Sequence, residues 1–265
     1  AVGAALAGAR PVLIHPRMDF MLLAVDQIIN QAANWYYMFG GKVNVPLVIR
    51  GIINRGGEQA AQHSQAIQAI FGHIPGLKVV MPATPYDAKG LLISAIKDDN
   101  PVIYIDDRWL YNIEGEVPQE IYEVPIGKAI IRKTGKDITI VATSYMVQEA
   151  MKAAEELEKP TVHTQNKINA EIIDLRSIKP IDEDLILKSV KKTGRLVIAD
   201  AAWRTCGISA EISAQVSENA FQFLKSPIQR VTLPDAPAPA SAVLEKVYYP
   251  DKDDIIKAVK ETLKS

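Results

Sequence analysis

Two of the four histidines in this chain, His63 and His73, flank the stretch SQAIQAIFG. Imidazole gives and takes protons near neutrality, so these residues are the first candidates for acid–base work. Ile67, Ile70, Phe71 and Ile74 recur at helical spacing, which predicts a short helix from Gln65 to Phe71, and Pro75-Gly76 turns the chain away from it. Ser64 would cap that helix and leave His63 just outside the positive end of its dipole, where a neutral imidazole is favoured. Periodicity does not choose between a chemical role for His63 and a hydrogen bond to a nearby carbonyl. His73 falls at the opposite end, where the dipole favours a cation and free carbonyls want donors, so it reads as a structural cap. His15 and His163, in an irregular stretch and a polar linker, read as solvated.

Other chemistries find little support. Four scattered histidines and the single Cys206 offer no zinc spacing. No serine sits in a nucleophile elbow, and there is no GxGxxG or P-loop; the RGGEQ glycine pair alone is weak evidence for phosphate contact. Cys206, in WRTCGISAEIS, reads as a small core cysteine rather than an activated one.

The elements that must position His63 alternate along the chain. VPLVIRG reads as a buried strand, followed by the loop IINRGGEQ and the short helix; KVVMP is a strand, Thr84-Pro85 with Asp87 opens a helix to about Lys97, and PVIYID is a strand. Phe20 to about Phe39 has helical spacing. Residues 109–125, with two prolines and mixed charge, form the best linker, placing domains at 1–125 and 126–265. Beyond it come strands at DITIVAT, NAEIIDL, RLVIAD and IQRVTL, with helices at 145–159, from about Asp182, at 209–223 and at 253–264. Parallel strands need crossovers, so the expected fold is α/β, with two doubly wound, mostly parallel-sheet domains. In such sheets ligands bind beyond the carboxyl ends of strands, the ground on which His63 stands.

At 265 residues and 48% hydrophobic content the chain can fill two cores. Its 30 basic and 31 acidic residues form no long run, so no nucleic-acid or membrane surface is expected. One cysteine fits a reducing compartment, and the expectation is a cytoplasmic protein, or one of the mitochondrial matrix if the source is eukaryotic. The apolar opening AVGAALAGA is too short for a membrane span and reads as a core element.

Several blocks together carry a resemblance: RPVLIHPRMDFMLLAVDQIINQAANWYYMFGG, AAQHSQAIQAIFGHIPGLKVVMPATPYDAKGLLISAIKDDNPVIY, VPIGKA, and EIIDLRSIKPID with VKKTGRLVIAD. The chain resembles, nearly end to end, the β subunit of the thiamine diphosphate-dependent decarboxylase component of 2-oxo acid dehydrogenase complexes, of the pyruvate and branched-chain type, within the transketolase-like group. The resemblance implies a pyrimidine-binding domain over 1–125 and a transketolase C-terminal-type domain over 126–265. It implies oxidative decarboxylation with acyl transfer to lipoamide, at a cofactor shared with an α subunit in a heterotetramer of two α and two β chains, and a lipoyl-bearing acyltransferase as further partner. Magnesium would be held mainly by the α subunit, since the GDG motif that anchors it is absent here. The family's catalytic histidine carries over onto His63, and the aromatic residue facing the pyrimidine ring onto Phe20, for which plain core packing is an equal reading. The family's potassium ion would fall on Ala95, Ile96, Asp98 and Asn100, although Asp and Asn at a helix end are also ordinary turn residues.

IINRGGEQ and AAWRTCG depart from the family's sequences. The family's cofactor-activating glutamate lies upstream of the segment matching AVGAALAG, which itself has no cap and no preceding strand. The expectation is therefore a longer polypeptide whose upstream part carries that glutamate and a strand. Two other functions compete: a scaffold or regulatory paralogue without cofactor, and a transketolase-like enzyme passing its product to an aldose.

Overall fold

The structure, a computed structural model, describes residues 1–159 and 167–264, so His163 lies outside the described residues. In chain order the elements begin α1 (Val2–Leu6), β1 (Val12–His15), α2 (Ala33–Met38), β2 (Val48–Ile53), α3 (Gln68–His73), β3 (Lys78–Val80), α4 (Pro85–Lys97) and β4 (Val102–Asp107). They continue β5 (Ile130–Lys133), β6 (Ile138–Ala142), α5 (Tyr145–Leu157), β7 (Ala170–Asp174), β8 (Ser177–Lys179) and α6 (Glu183–Thr193). The last are β9 (Leu196–Trp203), α7 (Ile208–Ala220), β10 (Gln229–Leu233), α8 (Ala242–Tyr248) and α9 (Lys252–Lys264). The chain divides into two compact units, the first comprising Ala1–Lys128, Arg176–Pro180 and Pro237–Glu245.

The first unit is built on a five-stranded sheet of order β1-β2-β4-β3-β8. β1, β2, β4 and β3 run parallel, with Val48 opposite Val102 and Ile53 opposite Asp107. Every residue of β4 is buried, as expected of a central parallel strand covered on both faces. Val48, Val80, Val102 and Tyr104 pack with Leu91 and Ala95 of α4 to make the core on that side. β8 adds antiparallel to β3, and the Met81 amide donates to the Arg176 carbonyl over 2.7 Å. Residues 176–180 thus belong to the first unit, whereas the sequence reading put everything after 125 in the second. The physical reason is the edge that a three-residue β3 would otherwise expose.

α4 starts as expected: the Thr84 hydroxyl accepts from the Asp87 amide over 3.2 Å, with Pro85 in the first turn. The helix expected from Phe20 is less regular than its spacing suggested. Met18–Ala24 is 3-10, Gln27–Ala32 is π-helical and only then does α2 begin. Asn34 Nδ2 donates to the Ile29 carbonyl over 3.0 Å, taking an acceptor that a regular ladder would use. The linker is docked rather than free. Ser94 Oγ donates to the Val124 carbonyl over 2.7 Å, and a Cβ at Gly90 would lie 2.4 Å from Val124 Cγ2. The opening segment forms α1, but only Ala5 is buried, so it is not the core element its composition suggested.

The second unit has a five-stranded sheet of order β10-β9-β6-β7-β5, parallel except for β5. α6 starts at Asp182, whose carboxylate accepts from the Leu185 amide, and stops at Gly194, which at φ 74 takes the left-handed conformation natural to glycine. Among the described residues of both units, no helix is long and apolar enough to cross a membrane.

Candidate active site

The site is built from the segments that leave the carboxyl ends of β1 and β2, the ground favoured for ligands in an open α/β sheet. After β1 the chain turns through Pro16 into the 3-10 segment, whose Met18 and Met21 are fully buried. They pack over Gly51 of β2, where a Cβ would lie 2.3 Å from Met21 Sδ. Only glycine fits there. This packing fixes Asp19 and Phe20, one side chain turned inward and the other 38% exposed.

After β2 the chain runs through residues 54–67 without regular structure. Gly56, Gly57, Glu58 and Ala60 all have φ between 60 and 70, and for the two non-glycines this is a strained conformation. The strain is held by contacts on both sides. Arg55 and Asp107 form a buried ion pair, Arg108 donates to Asn54 Oδ1 over 3.0 Å, and Trp109 packs on Gly56. Further on, the Glu58 amide donates to Glu245 over 2.9 Å, and Glu58 Oε1 accepts from the Ala242 amide over 3.3 Å.

The two segments meet at three points. The Phe20 and His63 rings stand edge to face with centroids 5.4 Å apart. Asp19 Oδ1 accepts from both the amide and the side-chain Nε2 of Gln65, over 3.3 and 2.9 Å. Arg17 Nη2 donates to Gln59 Oε1 over 3.5 Å. The structure therefore brings together the two residues singled out by resemblance, Phe20 and His63. The local helical account of His63 is corrected, however. α3 begins at Gln68, three residues later than expected, with Ile67 rather than Ser64 at its cap position. His63 lies in a turn well outside the helix, so no dipole acts on it at close range. His73 ends α3 and is exposed, and no hydrogen bond from its side chain caps the helix among the described residues.

His15 was read as solvated, and that is also corrected. It ends β1 opposite Gly51, it is half-buried, and burial lowers its pKa, which keeps the imidazole neutral at neutral pH. Its Nε2, together with Asp19 Oδ2 and Ser64 Oγ, is buried without a hydrogen-bond partner among the described residues. Buried polar atoms are nearly always satisfied, and leaving one unpaired costs about 1–3 kcal/mol. Two of the three belong to residues next in sequence to Phe20 and His63, so the segments that meet here carry buried polar groups without partners of their own. Sequence reasoning missed Asp19 and Gln65 as a pair; the only signal was their adjacency to Phe20 and His63.

Beyond β3 and β4 lies a concavity of ≈ 200 Å³ lined by Thr84, Ala88, Asp106, Tyr111 and Ile113. Burial holds the Asp106 carboxyl above the usual carboxylate range, although Arg50 and Tyr111 bond to it.

Ala95, Ile96, Asp98 and Asn100 lie at the other pole of this sheet, where β3 and β4 begin. Arg10 Nη1 donates to the carbonyls of Ile96 and Asp98 over 3.1 and 3.0 Å. The Asp98 carboxylate pairs with Lys78 and accepts from the Asn100 amide. Asn100 lines a separate cavity of ≈ 600 Å³ with Ala33, Tyr36 and Gly76. The described residues contain no cluster of three or more His, Cys, Asp or Glu side chains able to hold a metal ion.

Comparison with known proteins agrees with this architecture. Residues 1–113 match the transketolase pyrimidine-binding domain, and residues 127–255 match the transketolase C-terminal domain. The β subunit of the acetoin:2,6-dichlorophenolindophenol oxidoreductase of Cupriavidus necator is 48% identical over 264 residues, covering 100% of this chain and 76% of the relative. The β subunit of the pyruvate dehydrogenase E1 component of Rickettsia bellii is 44% identical over 261 residues, covering 98% and 78%. A split-gene transketolase, described as an inactive beta4 tetramer, superposes with a TM-score of 0.79 at 24% identity, over 100% of this chain and 79% of its own, a likeness of fold alone. With both domains matched and such identity along its whole length, the chain belongs to the transketolase-like family, among the β subunits of pyruvate and acetoin dehydrogenase E1 components.

Proposed function

We propose that this chain is the β subunit of a thiamine diphosphate-dependent decarboxylase of the pyruvate dehydrogenase type, active only in a heterotetramer of two α and two β chains that passes its acyl group to a lipoyl-bearing acyltransferase. The observation that carries the reading is the Phe20–His63 pair beyond the carboxyl ends of β1 and β2. Thiamine diphosphate, when bound, supplies the chemistry that breaks the bond beside the carbonyl. Phe20, partly exposed, offers apolar ring surface for a pyrimidine to pack against. His63, half-buried, serves to give or take a proton at a ring nitrogen as the acyl group leaves for the lipoyl sulfur.

Magnesium falls to the α subunit in this reading. A potassium ion at Ala95, Ile96, Asp98 and Asn100 would have to use carbonyl oxygens, because the Asp98 carboxylate is already paired with Lys78. The Ile96 and Asp98 carbonyls each keep one lone pair beside the bond from Arg10. We place the protein in the cytoplasm, which the single cysteine suits. A second substrate, acetoin, is favoured by the 48% identity to an acetoin oxidoreductase subunit.

The test is the enzyme reconstituted with its α subunit, supplied with pyruvate or acetoin and with either lipoamide or dichlorophenolindophenol as acceptor. His63→Ala is expected to lower the lipoyl-dependent rate by roughly two to four powers of ten, and the dye-dependent rate less. Equal, small losses in both assays would remove His63 from the reaction. The substrate turned over by the unmodified enzyme chooses between pyruvate and acetoin.

A further inference from the structure

Few hydrogen bonds hold the segment that carries His63, although Ser64, Ala66 and Ile67 beyond it are buried. Residues 61–67 belong to no helix or strand, and they follow the strained Ala60. Among the described residues, the hydrogen bonds made by residues 61–66 are a long one from the His63 amide to the Ala60 carbonyl, 3.4 Å, and the two from Gln65 to Asp19. Asp19 is the opposite case. It is 7% exposed and stands beside Met18 and Met21, which are locked over Gly51 in the core of the sheet. One oxygen, Oδ1, takes both donors of Gln65, main chain and side chain, so it fixes position and rotation of that residue together. The other, Oδ2, is buried and unpartnered.

The geometry points to Asp19 as the positioning residue for His63, a latch that acts through Gln65 and ties this irregular segment to the turn bearing Phe20. It is not a catalytic residue, and the inference rests on the proposed role of His63 only for its effect on rate. Its position beside Phe20 is independent of that role. A specific consequence follows from the division of labour between the two oxygens. Asparagine keeps the Oδ1 acceptor and places an amide where the unused Oδ2 stood, so Asp19→Asn should preserve the latch. Asp19→Ala removes it.

The readout on the full chain is the His63 ring-proton resonance, which Phe20 displaces by its ring current. The chain has four histidines, and His63→Gln with Phe20→Leu assigns the signal. In Asp19→Ala and Gln65→Ala the displacement should collapse toward the Phe20→Leu value and the line should broaden; in Asp19→Asn it should persist. In the reconstituted enzyme, Asp19→Ala should cut the lipoyl-dependent kcat about tenfold or more with KM little changed, Asp19→Asn should restore it, and Asp19→Ala should add nothing in a His63→Ala background. An Asn variant as impaired as the Ala variant would overturn the latch, as would an unmoved His63 resonance in Asp19→Ala. If Asp19→Ala misfolds, the Gln65→Ala and Asp19→Asn spectra still decide the matter. A collapsed resonance with undiminished lipoyl transfer would keep the latch and discard the proposed role of His63.

Discussion

Phe20 and His63 meet edge to face, centroids 5.4 Å apart and planes at 88°, although 43 positions of chain separate them. Such a pair contributes roughly 0.5–1.5 kcal/mol beyond the area it buries. Phe20 is partly exposed, so its replacement should leave the fold intact. In the reconstituted enzyme, Phe20→Leu is expected to weaken thiamine diphosphate binding about tenfold, equivalent to about 1.4 kcal/mol, as read from cofactor titration. An unchanged dissociation constant would return Phe20 to plain packing.

The Arg55–Asp107 pair should be the most sensitive point of the loop that leads to His63. Both side chains are buried, at 3% and 0% exposure, and Asp107 also accepts from the Trp109 amide over 3.0 Å. Removing one partner leaves the other charge buried and alone, at a cost of about 3–5 kcal/mol. Arg55→Met should therefore lower the urea midpoint markedly. Asp107→Asn, which keeps an acceptor for Trp109, should be less damaging than Asp107→Ala.

The second unit should lose stability on the acid side through Glu171. Burial alone would raise this carboxyl, but hydrogen bonds from Lys192, Ser189 and the Gly135 amide outweigh it and hold the group below the usual range. A depressed folded-state value contributes stability that is complete above the ordinary carboxylate pKa and is lost as pH falls through the folded value. Lys192 is about half exposed, so its share is modest, about 1 kcal/mol. Lys192→Met should thus lower Tm near neutrality, and the gap to the unmodified chain should close as the pH falls below about 4. A gap that stays constant into acid would exclude this linkage.

The sequence by itself determined the alternation of elements and hence the two α/β sheets. Where apolar spacing was unbroken and a local cap was present, as for α4 behind Thr84 and α6 behind Asp182, the elements stand where the residues said they would. Those signals are short-range and need no tertiary partner. The family blocks around AAQHSQ likewise brought His63 and Phe20 forward from sequence.

Tertiary structure decided the rest, because the deciding interactions join distant residues. β8 was not legible, since Ser177–Lys179 is too short to show a period and owes its strand to the open edge of β3. The start of α3 moved to Gln68 because Gln65 is held by Asp19, across 46 positions, through both its amide and its side chain. His15 became half-buried through pairing of β1 with β2, which no local pattern announced. Residue types named the histidine, but only the fold brought Phe20 against it and Asp19 against Gln65, contacts between segments more than forty positions apart that no local pattern encodes.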